Sequence, residues 1–381
     1  MALSWFFVGS LLLFDPTVGD CECGYSITLA SDGTQHVFTD LLETDFIHVN
    51  ITGDGRGRAR HGWAAQGYNI TSEAARGAFG ESFMIKNVMS DTIKDPATFG
   101  GPGSAGLDAG LHLVVRNTMQ NDRVPVAEIS TTGLHYYHGT FRAGIKTTDV
   151  GGTCSAFFWY QNDTQEIDIE FLSAEFDTAN NTFPVNLVLQ SKESAAAGFD
   201  ASNTTGLRRV NLPFNPSSDF HEYRFDFLQD RVLFYADAEL LAEMTGDGVP
   251  TSAGHILLSH WSNGNPGWSR GPPKSDAVTT VSYVKAYFNS SLAQRQQDFV
   301  TRCKTPAAKG AVCAIPDRNA TFFFSHGNNL TPNQTAYGDG DDDGPQNGEG
   351  GDENAGAAVS ATHPFAFWIA LSLLYIICLS S

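Results

Sequence analysis

The chain has 381 residues, of which 42 are acidic and 23 basic, for a formal net charge of −19. A chain this acidic is not expected to bind nucleic acid, and an anionic membrane surface would repel it unless a lipid anchor held it there. The length is sufficient for one large domain with a full hydrophobic core.

Residues 1–19 resemble a secretory signal peptide, because an apolar stretch from Trp5 to Phe14 precedes small residues at Thr17-Val18-Gly19. Nine Asn-x-Ser/Thr tripeptides then follow along the chain, which indicates export through a glycosylating, eukaryotic pathway. They begin at Asn50, Asn69, Asn162, Asn180, Asn203, Asn289, Asn319, Asn329 and Asn333. We therefore expect an extracellular glycoprotein.

From about residue 25 to residue 290 the sequence alternates between short apolar-polar segments and clusters of Gly, Asn, Asp and Pro. This pattern predicts many short strands joined by turns, which is typical of a β-sandwich or jelly roll. The candidate strands are Leu111 to Arg116, Tyr136 to Ile145, Ala156 to Tyr160, Glu166 to Phe171, Val185 to Gln190, His221 to Leu228, Arg231 to Ala236, Ile256 to His260 and Thr279 to Phe288.

The run Glu166-Ile167-Asp168-Ile169-Glu170 places an acid at every second residue. Because side chains alternate between the faces of a strand, the three acids line one face, about 6 to 7 Å apart, and the isoleucines point to the other. Outer glutamates that lean toward each other would bring their carboxyls to about 5 Å, the separation in retaining glycosidases. The alternative is a solvated edge strand with no catalytic role.

The C-terminal part of the chain has a different composition. Residues 301–354 are rich in sequons and in Gly, Asp and Asn, which predicts an extended glycosylated stalk. A cluster of small residues then precedes the apolar stretch from Phe365 to Leu379, so residues 355–381 are interpreted as a glycolipid-anchor signal, with Asn354 or Gly356 as the attachment residue. A plain single-pass tail is the alternative.

The six cysteines fit an oxidising compartment, and one of them, Cys378, lies in the removable tail. Five remain, so one has no partner. Cys21 and Cys23 are too close in sequence to bridge each other comfortably, and Cys303 with Cys313 is the preferred pair. The other connectivity stays open.

The blocks around the acidic strand resemble glycoside hydrolase family 16, whose signature strand is Glu-x-Asp-x-Glu. The resemblance covers about residues 40–290, and its blocks occur in the family's order. Three departures are His138, inserted between the usual Tyr and Gly, Phe227 in place of Trp and Ala238 in place of Gly. The matching segments are 137–146, 166–170, 220–227, 230–237, 260–264 and 281–287.

The resemblance implies a concanavalin A-like β-jelly-roll sandwich with a concave substrate cleft, spanning residues 20–300. It also implies a retaining, endo-acting enzyme on β-1,3- or β-1,4-linked glucan. Glu166 would be the nucleophile, Glu170 the general acid/base and Asp168 the residue between them. Within the family the chain looks most like fungal, cell-wall-directed members with a lipid anchor, which places it at the cell surface or wall, anchored to the plasma membrane.

Sugar rings stack on aromatic side chains, so Trp261, Trp159, Tyr137 and Trp268 are candidate platforms, although a core position is the alternative for each. No cofactor is expected. A structural calcium ion occurs in some relatives, but this sequence contains no dense oxygen-ligand loop in the domain. The expected partner is a β-glucan polysaccharide, and the domain is expected to be a monomer.

Three functions remain open from the sequence. The same residues would support hydrolysis of glucan or transfer of a glucan chain to another sugar. A sandwich with an aromatic groove also forms a lectin, so a non-catalytic glucan-binding module is the third interpretation. The three carboxylates favour an enzyme.

Overall fold

The computed structural model describes residues 20–53, 55, 57–198, 201, 204–326 and 334–335, all within the unit Met1–Asp343. The signal peptide predicted at 1–19 and the anchor signal predicted at 355–381 lie outside the described residues. In the described part, no helix has the length and apolar character that crossing a bilayer requires.

The described residues form twenty strands and three short helices, as the alternating sequence predicts. The strands are β1 (Tyr25–Thr28), β2 (Gln35–Phe38), β3 (Asp40–Asp45), β4 (Trp63–Ala65), β5 (Tyr68–Ile70), β6 (Gly80–Phe83), β7 (Val88–Asp91), β8 (Gly110–Val115), β9 (Arg123–Thr131), β10 (Tyr136–Lys146), β11 (Cys154–Asn162), β12 (Gln165–Leu172), β13 (Pro184–Gln190), β14 (Leu207–Asn211), β15 (His221–Phe227), β16 (Arg231–Ala236), β17 (Glu239–Thr245), β18 (His255–Trp261), β19 (Ala277–Ser290) and β20 (Cys313–Ala314). The helices are α1 (Ser72–Ala75), α2 (Lys192–Ala196) and α3 (Ala293–Arg302).

Two large sheets and one small sheet contain these strands. Sheet I has the order β17-β16-β15-β10-β19-β8-β7, with β3 also paired to β19. Sheet II has the order β14-β13-β12-β11-β18-β9-β6-β5, with β4 paired to β9, and sheet III has the order β2-β1-β20. The predicted all-β jelly-roll sandwich is confirmed, and each of the nine predicted strands is present with its ends shifted by two residues or fewer.

Sheets I and II pack through a continuous apolar core. Phe157 and Trp159 of β11 contact Phe225 and Phe227 of β15, with ring centroids 5.1 Å apart in both pairs. Phe227, which stands where the family has Trp, is fully buried in this layer. Each such buried side chain contributes roughly 1.5–3 kcal/mol, so the core fixes which face of each strand points outward.

The extra residue His138 is accommodated by a β-bulge. The register of β10 against β19 shifts between Tyr137 and Gly139, and His138 adopts a positive φ of 30°. A bulge absorbs one inserted residue without moving the rest of the strand to the other face. The departure from the family pattern therefore stays local to the start of β10.

The preferred disulfide pairing was wrong. Cys21 is bonded to Cys313 and Cys23 to Cys303, and Cys154 is the described cysteine with a free thiol. The physical reason is that the first and last described strands are neighbours: β1 pairs with β20 in parallel, which places Cys21 and Cys23 beside Cys313 and Cys303. The two bonds close loops of 292 and 280 residues.

Residues 301–326, predicted as the start of a stalk, belong instead to the folded domain: Cys303 and Cys313 are bonded beside β1, and residues 316–319 contact the outer face of sheet I. The side chains of Arg142, Arg224 and Lys285 bond to Pro316 O at 3.0 Å, to Asp317 at 3.0 Å and to Asn319 O at 2.8 Å. Each of these buried cations therefore places one donor on an oxygen of the tail. Most of the remaining stalk prediction falls outside the described residues.

The turn between β16 and β17 explains why the family has glycine at position 238. Ala236 pairs with Glu239, so Asp237 and Ala238 form a two-residue hairpin loop, with φ of 48° and 67°. Two positive φ angles define a type I′ turn, which favours Asn-Gly or Asp-Gly. An alanine in the left-handed region is strained, because its Cβ approaches the following carbonyl.

We predict that Ala238→Gly stabilises the domain by about 0.5–1 kcal/mol, since glycine adopts this conformation without the Cβ clash. Thermal unfolding by calorimetry would show a Tm increase of roughly 2–4 °C. The matched control is Ala242→Gly in β17, where glycine has no such advantage and should destabilise. A Tm for Ala238→Gly equal to or below that of the wild type would contradict the turn assignment.

Candidate active site

The three acids of β12 lie on the outer face of sheet II. Ile167 and Ile169 are fully buried in the core, so the intervening Glu166, Asp168 and Glu170 point away from it. Strand β12 lies between β11 and β13 and pairs with both in antiparallel register. The predicted geometry of one strand with three acids on one face is therefore present.

Burial determines the electrostatics of this cluster. It raises the pKa of Glu166 to about 8 and of Glu170 to about 7, and it raises the pKa of Asp168 well above its usual range. Asp168 donates a hydrogen bond to Glu166, which partly offsets the effect of burial on Glu166. Asp168 thus stays protonated, and Glu166 accepts a hydrogen bond from its carboxyl group.

Glu170 has two protein donors of its own. The thiol of Cys154 lies 3.4 Å from its Oε1 atom, and the indole of Trp268 also donates to its carboxyl group. Both bonds favour the ionised form of Glu170 and lower its pKa against the effect of burial. The positive charge of Arg76, at the C-terminal end of α1, lowers the pKa of both Glu166 and Glu170.

Strand β13 brings two further polar side chains to this face. Asn186 lies opposite Glu170 in the register and Gln190 lies opposite Glu166. Asn186 Nδ2 and Gln190 Oε1 are buried and have no hydrogen-bond partner among the described residues. Since buried polar atoms are normally paired, these two are positioned to bond a ligand at the carboxylates.

The four predicted aromatic platforms divide into two pairs. Trp261 ends β18 opposite Cys154, and Trp268 contacts Glu170, so both lie beside the acids. The prediction for Trp159 was wrong: it is fully buried in the core, where its indole donates to Tyr136 O at 2.9 Å. Its strand is apolar on both faces, so the pattern did not reveal its orientation.

Tyr137, the fourth predicted platform, belongs to sheet I. Its ring stacks on His138 at 3.8 Å and its hydroxyl donates to Thr251 O at 3.2 Å. No described contact joins it to the three acids of sheet II.

Another acid, Glu128, lies farther across the same face of sheet II. Glu170, Ala156, Ser259 and Glu128 occupy one transverse row, so Glu128 is three strand spacings, about 14 Å, from Glu170. Tyr68 donates to Glu128 at 3.0 Å, and burial raises the pKa of Glu128 to about 7. The polar face is therefore long enough for an extended ligand.

Sequence reasoning missed Cys154, Asn186, Gln190, Arg76 and Glu128. Glu128 lies in β9, Cys154 in β11, and Asn186 and Gln190 in β13, so strand register brings these four to this face, while Arg76 follows α1. Alternation within β13 was the available signal for Asn186 and Gln190, because Val185, Leu187 and Leu189 mark its core side. The described residues contain no group of three or more His, Cys, Asp or Glu side chains placed to hold a metal ion.

Part of the chain is similar to known proteins. Residues 111–284, which include β12, match the family model described as Glycosyl hydrolases family 16. A beta-glucanase of Brevibacillus brevis is 25% identical over 190 residues, covering 48% of this chain and 67% of that protein. A beta-glucanase of Bacillus subtilis is 27% identical over 131 residues, covering 33% and 48%.

Congo red hypersensitive protein 1 of Saccharomyces cerevisiae is 23% identical over 138 residues, covering 35% of this chain and 25% of that protein. The chain thus spans two thirds or less of the lengths of these relatives. The solved structure of a Bacillus licheniformis beta-glucanase has a TM-score of 0.46 at 19% identity, covering 65% of this chain and 97% of that one. The match over residues 111–284 supports a family 16 glycosyl hydrolase domain in this part of the chain.

We predict that Glu166→Gln raises the Tm at pH 8 by roughly 2–8 °C. The carboxyl has a higher pKa in the folded protein than in the unfolded chain, so its contribution to stability is complete at low pH and is lost as the pH rises through about 8. The advantage of the variant should therefore shrink toward zero below about pH 4. Calorimetry across this pH range measures it.

The control is Glu193→Gln, which changes an exposed acid of α2. It should leave the pH dependence of the Tm unchanged. If Glu166→Gln gave the same Tm profile as Glu193→Gln, the burial of charge at Glu166 would be refuted.

Proposed function

We propose that the domain is a retaining, endo-acting enzyme on β-glucan, with Glu166 as nucleophile and Glu170 as general acid/base. One observation carries the proposal: three acids share one strand face, with Asp168 buried and Glu166 and Glu170 half-buried, and Asp168 donates a hydrogen bond to Glu166. In this hydrogen bond an oxygen of Glu166 is the acceptor. Double displacement requires Glu166 to be ionised and Glu170 to be protonated, and the hydrogen bond from Asp168 favours the first of these conditions.

The reaction has two steps. In the first, the carboxylate of Glu166 attacks the anomeric carbon while Glu170 gives its proton to the leaving glycosidic oxygen, so a glycosyl ester forms and a sugar hydroxyl leaves. In the second, Glu170 takes the proton of an incoming hydroxyl, whose oxygen displaces Glu166. Water as the acceptor gives hydrolysis, and a sugar hydroxyl gives transglycosylation.

The alternative functions rest on different observations. The relatives named beta-glucanase support action on glucan, and the long polar face of sheet II suits a polymer. The same residues would transfer a glucan chain when a sugar hydroxyl replaces water as the acceptor. A lectin has no use for buried acids with raised pKa values, so binding without catalysis is the least supported function.

We also propose that the protein is secreted, glycosylated and held at the cell surface or wall by a lipid anchor. The signal-like residues 1–19, the nine sequons and the apolar C-terminal stretch support this location. The yeast relative is consistent with a fungal source. Treatment of intact cells with a phospholipase that cleaves glycolipid anchors should release the protein; retention in the membrane would refute the anchor.

We predict that Glu166→Gln and Glu170→Gln each lower kcat more than about a thousandfold on β-glucan, because each removes a group that acts in both steps. Reducing-sugar release measures hydrolysis, and labelled oligosaccharide acceptors measure transfer in the same assay. Glu193→Gln, with the same chemical change on the surface, should retain full activity. Appreciable turnover by either site variant would refute the assigned roles.

The pH profile of kcat/KM should be bell-shaped. The productive form of the Glu166–Glu170 pair carries one proton, so it is the species between two successive titrations of the pair. Burial raises the pKa of Glu166 to about 8 and that of Glu170 to about 7, so the one-proton form should be most populated near neutral to slightly alkaline pH, and its productive arrangement is the one with the proton on Glu170. A profile that rises continuously to pH 10 would contradict the need for a protonated acid.

Trp261→Ala should raise KM about three- to tenfold with little change in stability, since stacking on an aromatic ring is worth roughly 0.5–1.5 kcal/mol. Trp159→Ala should instead lower the free energy of unfolding by about 3–5 kcal/mol, because it empties a core position. Steady-state kinetics and denaturant titration separate the two effects. The opposite pattern would contradict the placement of these side chains.

A further inference from the structure

Cys154 is a buried free thiol in a domain whose other described cysteines form disulfides. It begins β11 and lies opposite Leu172 and Trp261 in the register, so its side chain points to the same outer face as Glu170. Its sulfur lies 3.4 Å from Oε1 of Glu170. The thiol and the carboxyl group are therefore in direct contact.

The thiol is the donor in this contact. Burial, and then the negative charge of Glu170, raise the pKa of Cys154 well above its usual range, so the sulfur stays protonated wherever Glu170 is ionised. A carboxylate has only acceptor atoms, so the S–H bond points toward Glu170. The contact is a hydrogen bond in which the proton stays on the sulfur.

The β13 side of Glu170 carries a polar side chain with a donor that is unpaired in the described part of the chain. Asn186, which is 2% exposed, lies opposite Glu170 on β13 and has an amide nitrogen without a partner among the described residues. Cys154 on β11 and Trp268 thus both donate hydrogen bonds to Glu170. On the β13 side, the buried amide of Asn186 has no partner among the described residues. This asymmetry indicates that Cys154 belongs to the support of the carboxyl group and not to the substrate contacts.

We propose that Cys154 is a positioning residue for Glu170, whose thiol holds one carboxyl oxygen so that the other faces the glycosidic oxygen. The inference rests on the proposed function. In the first step Glu170 loses its proton to the leaving oxygen, and the thiol stabilises the resulting carboxylate. In the second step Glu170 regains a proton from the acceptor, and no bond to sulfur forms or breaks.

A thiol is a weak donor, which suits a residue that must alternate between acid and base. A strong donor would favour the carboxylate so much that Glu170 would accept a proton poorly in the second step. A purely apolar neighbour would leave the carboxylate with Trp268 as its one donor among those described above in the first step. Cys154 therefore makes Glu170 a somewhat stronger acid while leaving it competent as a base.

The test compares Cys154→Val, which removes the donor at similar volume, with Cys154→Ser, which keeps a donor. In Cys154→Val the alkaline limb of the kcat/KM profile should move upward by about 0.5–1 pH unit. Its kcat on glucan should fall about three- to tenfold, with KM within about twofold. Cys154→Ser should return the alkaline limb to the wild-type position or below it.

The matched control is Ser155→Ala, which removes a buried hydroxyl from the next residue of β11. Ser155 bonds to Thr279 at 2.6 Å and faces away from Glu170. It should lose stability without moving the pH profile. An alkaline limb that stays in place in Cys154→Val, or moves equally in Ser155→Ala, would overturn the proposal.

A second measurement does not depend on glucan turnover. The infrared S–H band of Cys154, isolated as the difference between wild type and Cys154→Ser, should shift as Glu170 titrates near pH 7 and stay fixed in Glu170→Gln. A shifting band in a protein without glucan activity would support the contact and refute the proposed function. A fixed band in an active enzyme would overturn the positioning role and leave the proposed function standing.

Discussion

The strict alternation of β12 is the constraint on which the site depends. Ile167 and Ile169 are held in the core by both neighbouring strands, so the three acids between and beside them have no freedom to turn inward or to separate. Each isoleucine gains roughly 1.5–3 kcal/mol from burial, which is available to offset repulsion between the carboxyls. The hydrophobic core therefore holds together charges that would otherwise move apart.

This arrangement costs stability and provides chemistry. Burial penalises the ionised form of every acid in the cluster, and the protein responds with hydrogen bonds from Asp168, Cys154 and Trp268. Those bonds place hydrogen-bond donors on the carboxyl oxygens of Glu166 and Glu170. A stable protein would not retain such a cluster for packing alone, and perturbed groups of this kind are concentrated at active sites.

The fold was largely predictable because its signal is local. Apolar-polar alternation, as in β12 and β15, predicts both the presence of a strand and the face that points to the core. The disulfides were not predictable, because spacing along the chain says nothing about which ends meet in space; the parallel pairing of β1 with β20 decides it. The same limit applies to Cys154 and Asn186, which reach Glu170 only through strand register. Trp159 was misplaced because β11 is apolar on both faces.

Both ends of the domain are fastened to sheet I and sheet III, and the last described residues continue on that side, where Gln334 bonds to Cys21 and Thr335 pairs with Leu41. A mechanical load applied from the C-terminal side of the domain would first act on residues 314–326, whose contacts with the domain are non-covalent. It would then meet the two disulfides that join Cys313 to Cys21 and Cys303 to Cys23, beside β1. Sheet III and these covalent links therefore resist such a load before the strands that carry the carboxylates.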